Sequence, residues 1–413
     1  MAAIDPIEVL FLVYSFIGTY IISLFFFIYI KNRRTIYEHN KPKIVPISIV
    51  IPCYNESKLI GNTIEHLQKS DYPKNMIEIL IVDDKSTDNS VEVIKSYMKI
   101  YKNIRLIQLK KNSGGAAIPT NTGIVKAKHD YVATLDAETF PNPDALSKML
   151  ALLQKDKNNA GVTCSILVKN PRSIIQKAQS IEYDMTAFTR KLLDYVDSVY
   201  VTPGAFSLYK KEAIIKVGLF DPKNLTQDID IVWRLISHGY KVKMCLSAKA
   251  QTEAPEKIRT WWNQRIRWNI GGTQTILKHR SLVFKHGMLG NFIIPFFAIS
   301  LLLGVFGLGL FIYLFAKNIF IYYLSTQYAL YISSSVLSVY QTSLTPSLIN
   351  FFGLMVLIIG LWMTFFSIGI IRYIEPRKHN ILNVIMYMLI YSIIYPFILL
   401  HAIYKMIIGS YKW

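Results

Sequence analysis

The 413-residue sequence is poor in cysteine and in acidic residues. Its three cysteines, Cys53, Cys164 and Cys245, are scattered and form no CxxC pair. This pattern favours a reducing compartment and argues against a disulfide framework or a zinc site. Only 27 Asp and Glu residues accompany 46 Lys and Arg residues, for a formal net charge of +19. The excess predicts a basic cytoplasmic surface on anionic lipid, or attraction of a phosphorylated substrate. No basic helix or arginine tract with interleaved aromatics indicates a nucleic-acid partner.

Several long stretches lack charge altogether. Hydrophobic residues make up 52% of the chain and the mean hydropathy is +0.30, which indicates a membrane protein. The uncharged run at residues 9–30 spans about 33 Å as a helix, enough for a hydrocarbon core of about 30 Å. Further spans are predicted at residues 291–316, 351–371 and 381–404, which gives about four in total.

Basic residues beside these spans predict their orientation. Lys31, Arg33 and Arg34 follow the first span, so the N-terminus is expected outside and the next segment in the cytoplasm. A second cytoplasmic loop is expected around Arg372, which leaves residues 317–350 and the C-terminus outside. A crossing at residues 319–340 would place Arg372 outside, but the polar side chains there make a poorer span.

The predicted organisation has three parts. Residues 1–40 are an anchor and linker, residues 41–275 a cytoplasmic domain, and residues 276–413 interfacial and transmembrane helices. Residues 256–289 mix Trp, Arg and Lys with apolar positions, as in a pair of helices at the bilayer surface. The expected location is therefore the plasma membrane, with several spans.

The cytoplasmic part alternates apolar, β-branched runs with helical segments. Strands are predicted at residues 44–51, 77–82, 104–109 and 131–135. Helices are predicted at residues 56–69 and 88–101. This alternation predicts a parallel α/β sheet with helices on both faces, in which ligands bind beyond the carboxyl ends of the strands.

Polar clusters occur at those strand ends: Tyr54-Asn55-Glu56, Asp83-Asp84 and Asp136-Ala137-Glu138. Acidic residues after a strand often only cap the next helix, and for Asp83-Asp84 both interpretations stay open. Asp136 and Glu138 would point to the same side of an extended chain, where they can face one divalent cation. Three acidic sites on one rim would be costly to bury without a cation or hydrogen-bond donors.

The segment at residues 226–268 predicts the chemistry. It begins with Thr-Gln-Asp ahead of an apolar helix and ends with Gln-Arg-Ile-Arg-Trp. The carboxylate of Asp228 can accept a proton, the guanidinium of Arg267 can hold phosphate oxygens, and the indole of Trp268 can carry a sugar ring. These side chains predict a site that moves a sugar from a phosphorylated donor.

Together, in this order and spacing, the motifs resemble those of membrane-bound family 2 glycosyltransferases, the processive synthases of cellulose, hyaluronan and poly-N-acetylglucosamine. The likeness covers roughly residues 44–275, and the poly-N-acetylglucosamine type is the most similar. It implies a GT-A fold with a Rossmann-like mixed sheet, an inverting mechanism and a UDP-sugar donor, UDP-GlcNAc or UDP-Glc. The acceptor would be a growing β-linked polysaccharide that crosses the membrane.

The resemblance also implies residue roles. Tyr54 and Asp83 would hold the nucleotide base, Glu56 the ribose, and Asp84 would lie near the nucleotide. Two carboxylates would bind Mg²⁺ or Mn²⁺ on the diphosphate, and a third would deprotonate the acceptor: Asp136, Glu138 and, as general base, Asp228. Three residues would hold the diphosphate or the acceptor: Gln264, Arg267 and, against the acceptor sugar, Trp268.

Three positions depart from the family pattern. Glu138 stands where Asp is usual, Gln227 where Glu is usual, and Ala116 where a Lys commonly contacts the diphosphate. The longer Glu moves a metal ligand, and the other two changes each remove a charge. The Gly114-Gly115 pair with Asn121 and Gly123 is compatible with a loop that lets the backbone approach phosphate, or with a simple turn.

Two other functions fit the sequence. One is transfer of a single sugar to a lipid phosphate or lipid-linked glycan, favoured by the small number of spans and the short loop after Arg372. The other is a nucleotide-sugar or glycan binder with weak catalysis, favoured by the three departures.

Overall fold

The structure is a computed structural model that describes residues 6–37, 41–285, 287–331, 355, 358–359, 361–370 and 380–411. The chain divides into two units. One comprises residues 27–297 and 366–413, and the other comprises residues 1–26 and 298–365.

Eight strands form one sheet: β1 (Ile47–Cys53), β2 (Ile77–Asp83), β3 (Ile104–Gln108), β4 (Tyr131–Leu135), β5 (Thr139–Pro141), β6 (Asn159–Val168), β7 (Phe206–Lys210) and β8 (Lys241–Thr252). Eight helices accompany the sheet in sequence: α2 (Ile60–Gln68), α3 (Ser90–Ile100), α4 (Ala117–Lys126), α5 (Ala145–Gln154), α6 (Ile174–Asp194), α7 (Lys211–Lys216), α8 (Gln227–Ser237) and α9 (Ile258–His279). The remaining described helices are apolar: α1 (Pro6–Asn32), α10 (Ile294–Tyr331), α11 (Leu361–Ile370), α12 (Ile381–Leu389) and α13 (Tyr395–Ile407). A π-helical turn at Ile390–Ile394 joins α12 to α13.

The sheet is mixed, with the strand order β3-β2-β1-β4-β7-β6-β8-β5. Strands β1 to β4 are parallel where they pair, as the alternation of strands and helices predicts. However, β7 runs antiparallel to both β4 and β6, and β5 antiparallel to β8. The expectation of a wholly parallel sheet is therefore wrong, whereas the mixed sheet implied by the resemblance is confirmed. Strand direction depends on how each connection returns to the sheet, which side-chain alternation does not record.

The core explains why the central strands are apolar without interruption. Ile47, Ile49 and Ile51 of β1 pack in one cluster with α2, α3 and α5. On the opposite face, a Cβ added to Gly123 of α4 would lie 2.3 Å from the side chain of Val50. Helices therefore cover both faces, so every β1 side chain is at least partly buried, and a fully buried Ile contributes about 1.5–3 kcal/mol.

Among the residues that the structure describes, two stretches are long and apolar enough to cross a membrane, Ser15–Asn32 and Leu289–Tyr328. The span expected at residues 291–316 overlaps α10, which continues as one 38-residue helix to Tyr331, about 57 Å long. The helix therefore extends well past the predicted end of the span, and the membrane boundary at residue 317 stays a prediction. Helices α11 and α13 are apolar but shorter, so about four spans are not confirmed. The expected loop at Arg372 and residues 332–350 lie outside the described residues.

The expected pair of surface helices at residues 256–289 is instead one helix with a short 3-10 turn. Helix α9 runs without a break for 22 residues, and the turn Arg280–Leu282 follows it. Trp261, Ile266 and Ile270 of α9 are buried in a cluster with Leu225 and with Ile398 of α13. Its apolar stripe therefore packs on protein.

Candidate active site

A cavity of about 390 Å³ lies beside the β4–β5 turn, α6, the loop before β7, the start of α8, and α9. Six of the residues expected to form a site line it: Asp136, Glu138, Asp228, Gln264, Arg267 and Trp268. Ala116 and Gln227, two of the departures from the family pattern, also line it. The sequence motifs therefore converge, although up to 132 residues separate them along the chain.

Asp136 and Glu138 belong to a turn rather than to an extended strand. The backbone N–H of Thr139 donates to the carbonyl of Asp136 at 3.0 Å, which closes the turn between β4 and β5. Gly204 lies against this turn, and a Cβ there would be 3.4 Å from Asp136 Oδ1. Both carboxylates reach the same cavity, but through the turn and not through strand alternation as expected.

The two carboxylates carry negative charge that the surrounding protein only partly neutralises. Burial, followed by the charge of Asp228, raises the pKa of Asp136 to about 6, although Arg267 opposes this. Burial, followed by the charges of Asp136 and Glu56, raises the pKa of Glu138 to about 7. A hard divalent cation fits such a pair, since Mg²⁺ is commonly bound by one or two carboxylates together with substrate phosphates. Within the described residues, no group of three or more His, Cys, Asp or Glu could hold a metal alone.

Asp228 is the second residue of α8, where the chain turns into the helix. Its Oδ1 accepts a hydrogen bond from the N–H of Ile229 at 3.1 Å, which orients the carboxylate at the helix start. Burial raises the pKa of Asp228 above its ordinary value, and the charges of Arg267 and Arg190 limit the rise. A carboxylate that is more basic than usual suits general-base catalysis.

The turn that carries Asp228 is fixed to α9 by three contacts. Asn224 Nδ2 donates to Thr275 Oγ1 at 2.8 Å, and the N–H of Leu225 donates to Gln274 Oε1 at 3.1 Å. The third contact is steric, because Gly271 lies directly against the backbone of Thr226. Helix α9 therefore positions the proposed base as well as its own side chains.

Gln264, Arg267 and Trp268 reach the cavity because they lie three and four residues apart, on one face of α9. The guanidinium of Arg265 stacks on the Trp268 ring, with its central carbon 4.0 Å from the ring centre. The amide oxygens of Gln264 and Gln227 are buried and have no hydrogen-bond partner among the described residues. Each can accept a hydrogen bond from a substrate hydroxyl.

The four residues expected at the nucleotide are not among those that line this cavity. They lie farther along the same carboxyl-terminal edge of the sheet, where the register pairs Cys53 of β1 with Asp83 of β2. Tyr54 is 47% exposed, whereas Asp83 and Asp84 are buried. Burial, followed by the charge of Asp136, raises the pKa of Glu56, so this carboxylate connects the two regions electrostatically.

Asp83 and Asp84 have structural partners of their own. Asp83 accepts from the N–H of Ser86 at 3.1 Å. Asp84 accepts from both the N–H and the hydroxyl of Ser113, at 2.9 and 2.8 Å. The latter contact holds the 112–115 loop, in which Gly114 adopts a positive φ of 78°. Ordinary loop bracing thus accounts for these contacts, while a role at the nucleotide stays a prediction.

The remainder of the expected glycine loop has a packing role. Asn121 exchanges two hydrogen bonds with the backbone of Phe220, at 2.7 and 2.9 Å. Gly123 leaves room for Val50 in the core. These two residues therefore join α4 to the rest of the fold and are not free for a phosphate.

Sequence reasoning missed the face that α6 presents to the cavity. Its lining residues recur at helical spacing: Glu182, Tyr183, Thr186, Ala187 and Arg190. Arg190 is only 5% exposed, and its Nε has no partner among the described residues. A usable signal was present, because charged residues two turns apart share a face of a helix whose other positions are largely buried.

The chain is similar to known proteins in sequence and in fold. The Glycosyl transferase family 2 profile matches residues 48–218. A poly-beta-1,6-N-acetyl-D-glucosamine synthase of Staphylococcus epidermidis is 30% identical over 286 residues, 68% of each chain. The synthase of the same name from Staphylococcus aureus is 33% identical over 240 residues, 58% of this chain and 57% of that one. A solved mannosyltransferase of Pyrobaculum calidifontis, in complex with GDP-Man and Mn²⁺, has a similar fold, with a TM-score of 0.52 and 18% identity over 85% of this chain and 98% of its own.

Proposed function

The chain belongs to glycosyl transferase family 2 and is a glycosyltransferase, and we propose that it extends a β-linked polysaccharide from a UDP-sugar. One observation carries the proposal: Asp136, Asp228 and Arg267 line the same cavity. The similarity to synthases of poly-N-acetylglucosamine supports UDP-GlcNAc as the donor, with UDP-Glc as the alternative.

In the proposed reaction, the acceptor hydroxyl attacks the anomeric carbon of the donor sugar and gives its proton to Asp228. The bond to the diphosphate breaks on the opposite side, so the configuration inverts and UDP leaves with the electron pair. Arg267, on the cavity wall, stabilises the charge that develops on the leaving diphosphate. Asp136 and Glu138 would hold Mg²⁺ or Mn²⁺. A bound divalent cation supplies further charge neutralisation at the diphosphate.

The nucleotide would lie at the adjoining sheet edge. Tyr54 is exposed there and would stack on or contact the base, with Asp83 and Asp84 beside it. Glu56 would bind the ribose, between this edge and the carboxylates of the cavity. In this arrangement the diphosphate spans the boundary between the two regions, which accounts for the absence of the four residues from the cavity wall.

We further propose that the catalytic domain, residues 41–275, lies on the cytoplasmic side of the plasma membrane. The segments at residues 1–40 and 276–413 would anchor it and pass the product across. The two long apolar stretches and the net charge of +19 support a protein bound to anionic membrane. Its partners would then be a UDP-sugar, a saccharide acceptor and lipid, without nucleic acid.

The test uses the full-length protein in detergent with radiolabelled UDP-GlcNAc, with Mn²⁺, Mg²⁺ or EDTA in parallel. The expected product is a high-mass polymer that forms with release of UDP only when a metal is present. Label in a chloroform-soluble product would instead identify single transfer to a lipid acceptor. Donor binding without transfer, from UDP-GlcNAc or any other nucleotide sugar, would support the weak binder and overturn the proposal.

A further inference from the structure

The face of α6 that lines the cavity presents a row of polar side chains outside the motifs recognised in the sequence. Glu182, Thr186 and Arg190 follow one another at one-turn intervals, and all three line the cavity. Eight residues separate the first from the last, or about 12 Å along the helix axis. One end of the row is Arg190, which lines the cavity together with the proposed base. The other end is Glu182, which contacts Tyr391 in a helix that follows the catalytic domain.

The Glu182 end is held rigidly. Arg265 Nη2 donates to Glu182 Oε2, and the hydroxyl of Tyr391 donates to the same oxygen at 2.6 Å. The Arg265 side chain is completely buried and stacks on Trp268. Tyr391 belongs to the π-helical turn between α12 and α13. Both bonds use Oε2 and hold the carboxylate in one orientation, so Oε1 is the oxygen that can accept from a ligand.

The Arg190 end of the row supplies hydrogen-bond donors, whereas the Glu182 end supplies an acceptor. Its guanidinium is nearly fully buried, lines the cavity, and has an Nε without a partner among the described residues. A buried N–H that lacks an acceptor is unfavourable, so a hydrogen bond to an oxygen of a ligand would stabilise it. Burial lowers the pKa of Arg190, and the charges of Tyr200 and Asp228 oppose that effect. Arg190 and Asp228 line the same cavity, so this end of the row shares the cavity with the base.

We infer that this face of α6 binds the acceptor saccharide, with Glu182 accepting from sugar hydroxyls and Arg190 donating to hydroxyl or N-acetyl oxygens. Thr186 lies between them and can do either. The inference rests on the proposed function, because it assumes a saccharide acceptor beside Asp228. Arg265 and Tyr391 are positioning residues, since they reach the ligand only through Glu182. A row of this length serves an acceptor longer than one sugar unit.

The test measures transfer from UDP-GlcNAc to β-1,6-linked N-acetylglucosamine oligosaccharides of one to five units, with separate KM values for donor and acceptor. Thr186→Val removes one hydroxyl at constant shape, and we expect it to raise the acceptor KM about fivefold with little change in kcat. Thr189→Val makes the same change on α6 at a residue outside the cavity lining, and should leave both KM values unchanged.

Glu182→Gln should raise the acceptor KM at least about tenfold. This factor should be larger for longer acceptors, until the acceptor is as long as the row of side chains. The donor KM should stay within about twofold of its starting value. Tyr391→Phe removes a single oxygen that touches Glu182 but not the ligand. It should raise the acceptor KM by a smaller factor, about threefold. This variant tests the same inference if Glu182→Gln does not fold.

The outcomes separate the two proposals. If the unmodified protein forms no saccharide product, the proposed function fails. If it does, yet Thr186→Val and Tyr391→Phe leave the acceptor KM unchanged or raise only the donor KM, the α6 inference is overturned while the function stands.

Discussion

Gly271 of α9 lies so close to Thr226 that a Cβ added at Gly271 would be 2.5 Å from the Thr226 backbone nitrogen and from its Oγ1. Only a residue without a side chain fits this contact. It sets the distance between two cavity walls, because Thr226 precedes Asp228 by two residues and Gly271 follows Arg267 by four. The adjacent Gly272 has no atom within 4 Å of an added Cβ, so the pair offers a matched comparison.

Gly271→Ala should force α9 away from the turn that carries the base. We expect a destabilisation of about 1–3 kcal/mol and at least a tenfold loss of kcat. Gly272→Ala should stabilise slightly, by up to about 1 kcal/mol, because Ala favours helix and meets no neighbour. Unfolding temperature and UDP release measure both effects. Equal behaviour of the two variants would contradict a steric role for Gly271.

Asp228→Asn keeps the size of the side chain but cannot accept the proton of the acceptor hydroxyl. We expect a loss of about 10²–10⁴ in kcat, the usual contribution of a general base. Binding of UDP should change little, since the nucleotide is proposed to lie outside the cavity, at the ends of β1 and β2. Calorimetric titration with UDP and a transfer assay separate the two effects. Transfer at a third or more of the original rate would exclude Asp228 as the base.

Glu138→Gln should abolish stimulation of UDP release by Mn²⁺, because an amide is a much weaker metal ligand than a carboxylate. Glu138→Asp should retain stimulation, with an altered metal concentration at half-maximal rate, because the shorter side chain moves the oxygen. Glu253→Gln is the matched control, since Glu253 lines the same cavity but is not a proposed ligand. An unchanged response in Glu138→Gln would show that the metal binds elsewhere.

Asp230 predicts a pH dependence of stability. The carboxylate is completely buried and accepts from Arg234 and His279, both at 2.9 Å, with Lys278 at 3.0 Å. Burial acts to raise the pKa of Asp230, but the bond from His279 and the charge of Arg234 outweigh it and lower the pKa to about 2. The stabilisation is therefore complete above the ordinary pKa of about 4 and is lost as the pH falls toward 2.

Asp230→Asn should cost about 3 kcal/mol at neutral pH, because it leaves the partly buried guanidinium of Arg234 without its counter-charge. The variant should also lose part of the acid dependence below pH 4, as measured by unfolding temperature. Asp130→Asn, at an exposed position, is the control and should leave both quantities unchanged. A neutral-pH stability equal to that of the starting protein would show that the cluster does not stabilise the fold.

Local pattern was sufficient for the central strands and for the face that three residues of α9 share. The predicted strand at residues 131–135 coincides with β4, and the one at residues 77–82 falls one residue short of β2. Both are apolar, β-branched runs between polar segments. Such runs are typical of strands that helices cover on both faces of the sheet. The side chains of Gln264, Arg267 and Trp268 share a face because helical spacing alone requires it.

Long-range packing determined what the sequence did not reveal. The direction of β7 depends on the path of α6 and the following loop back to the sheet. Whether Asp84 meets a nucleotide or Ser113 depends on how a loop 29 residues away closes. The length of α10 also escaped prediction, because charge and hydropathy indicate where a span ends and not where its helix ends.

By itself, the sequence determined the family chemistry, since carboxylates, guanidinium and indole in a given order define what a site can do. Tertiary structure alone decided which of these groups share a cavity, and added Glu182 and Arg190 to them. The physical reason is that chemical character belongs to each side chain, whereas proximity arises from packing, such as the close approach of Gly271 to Thr226.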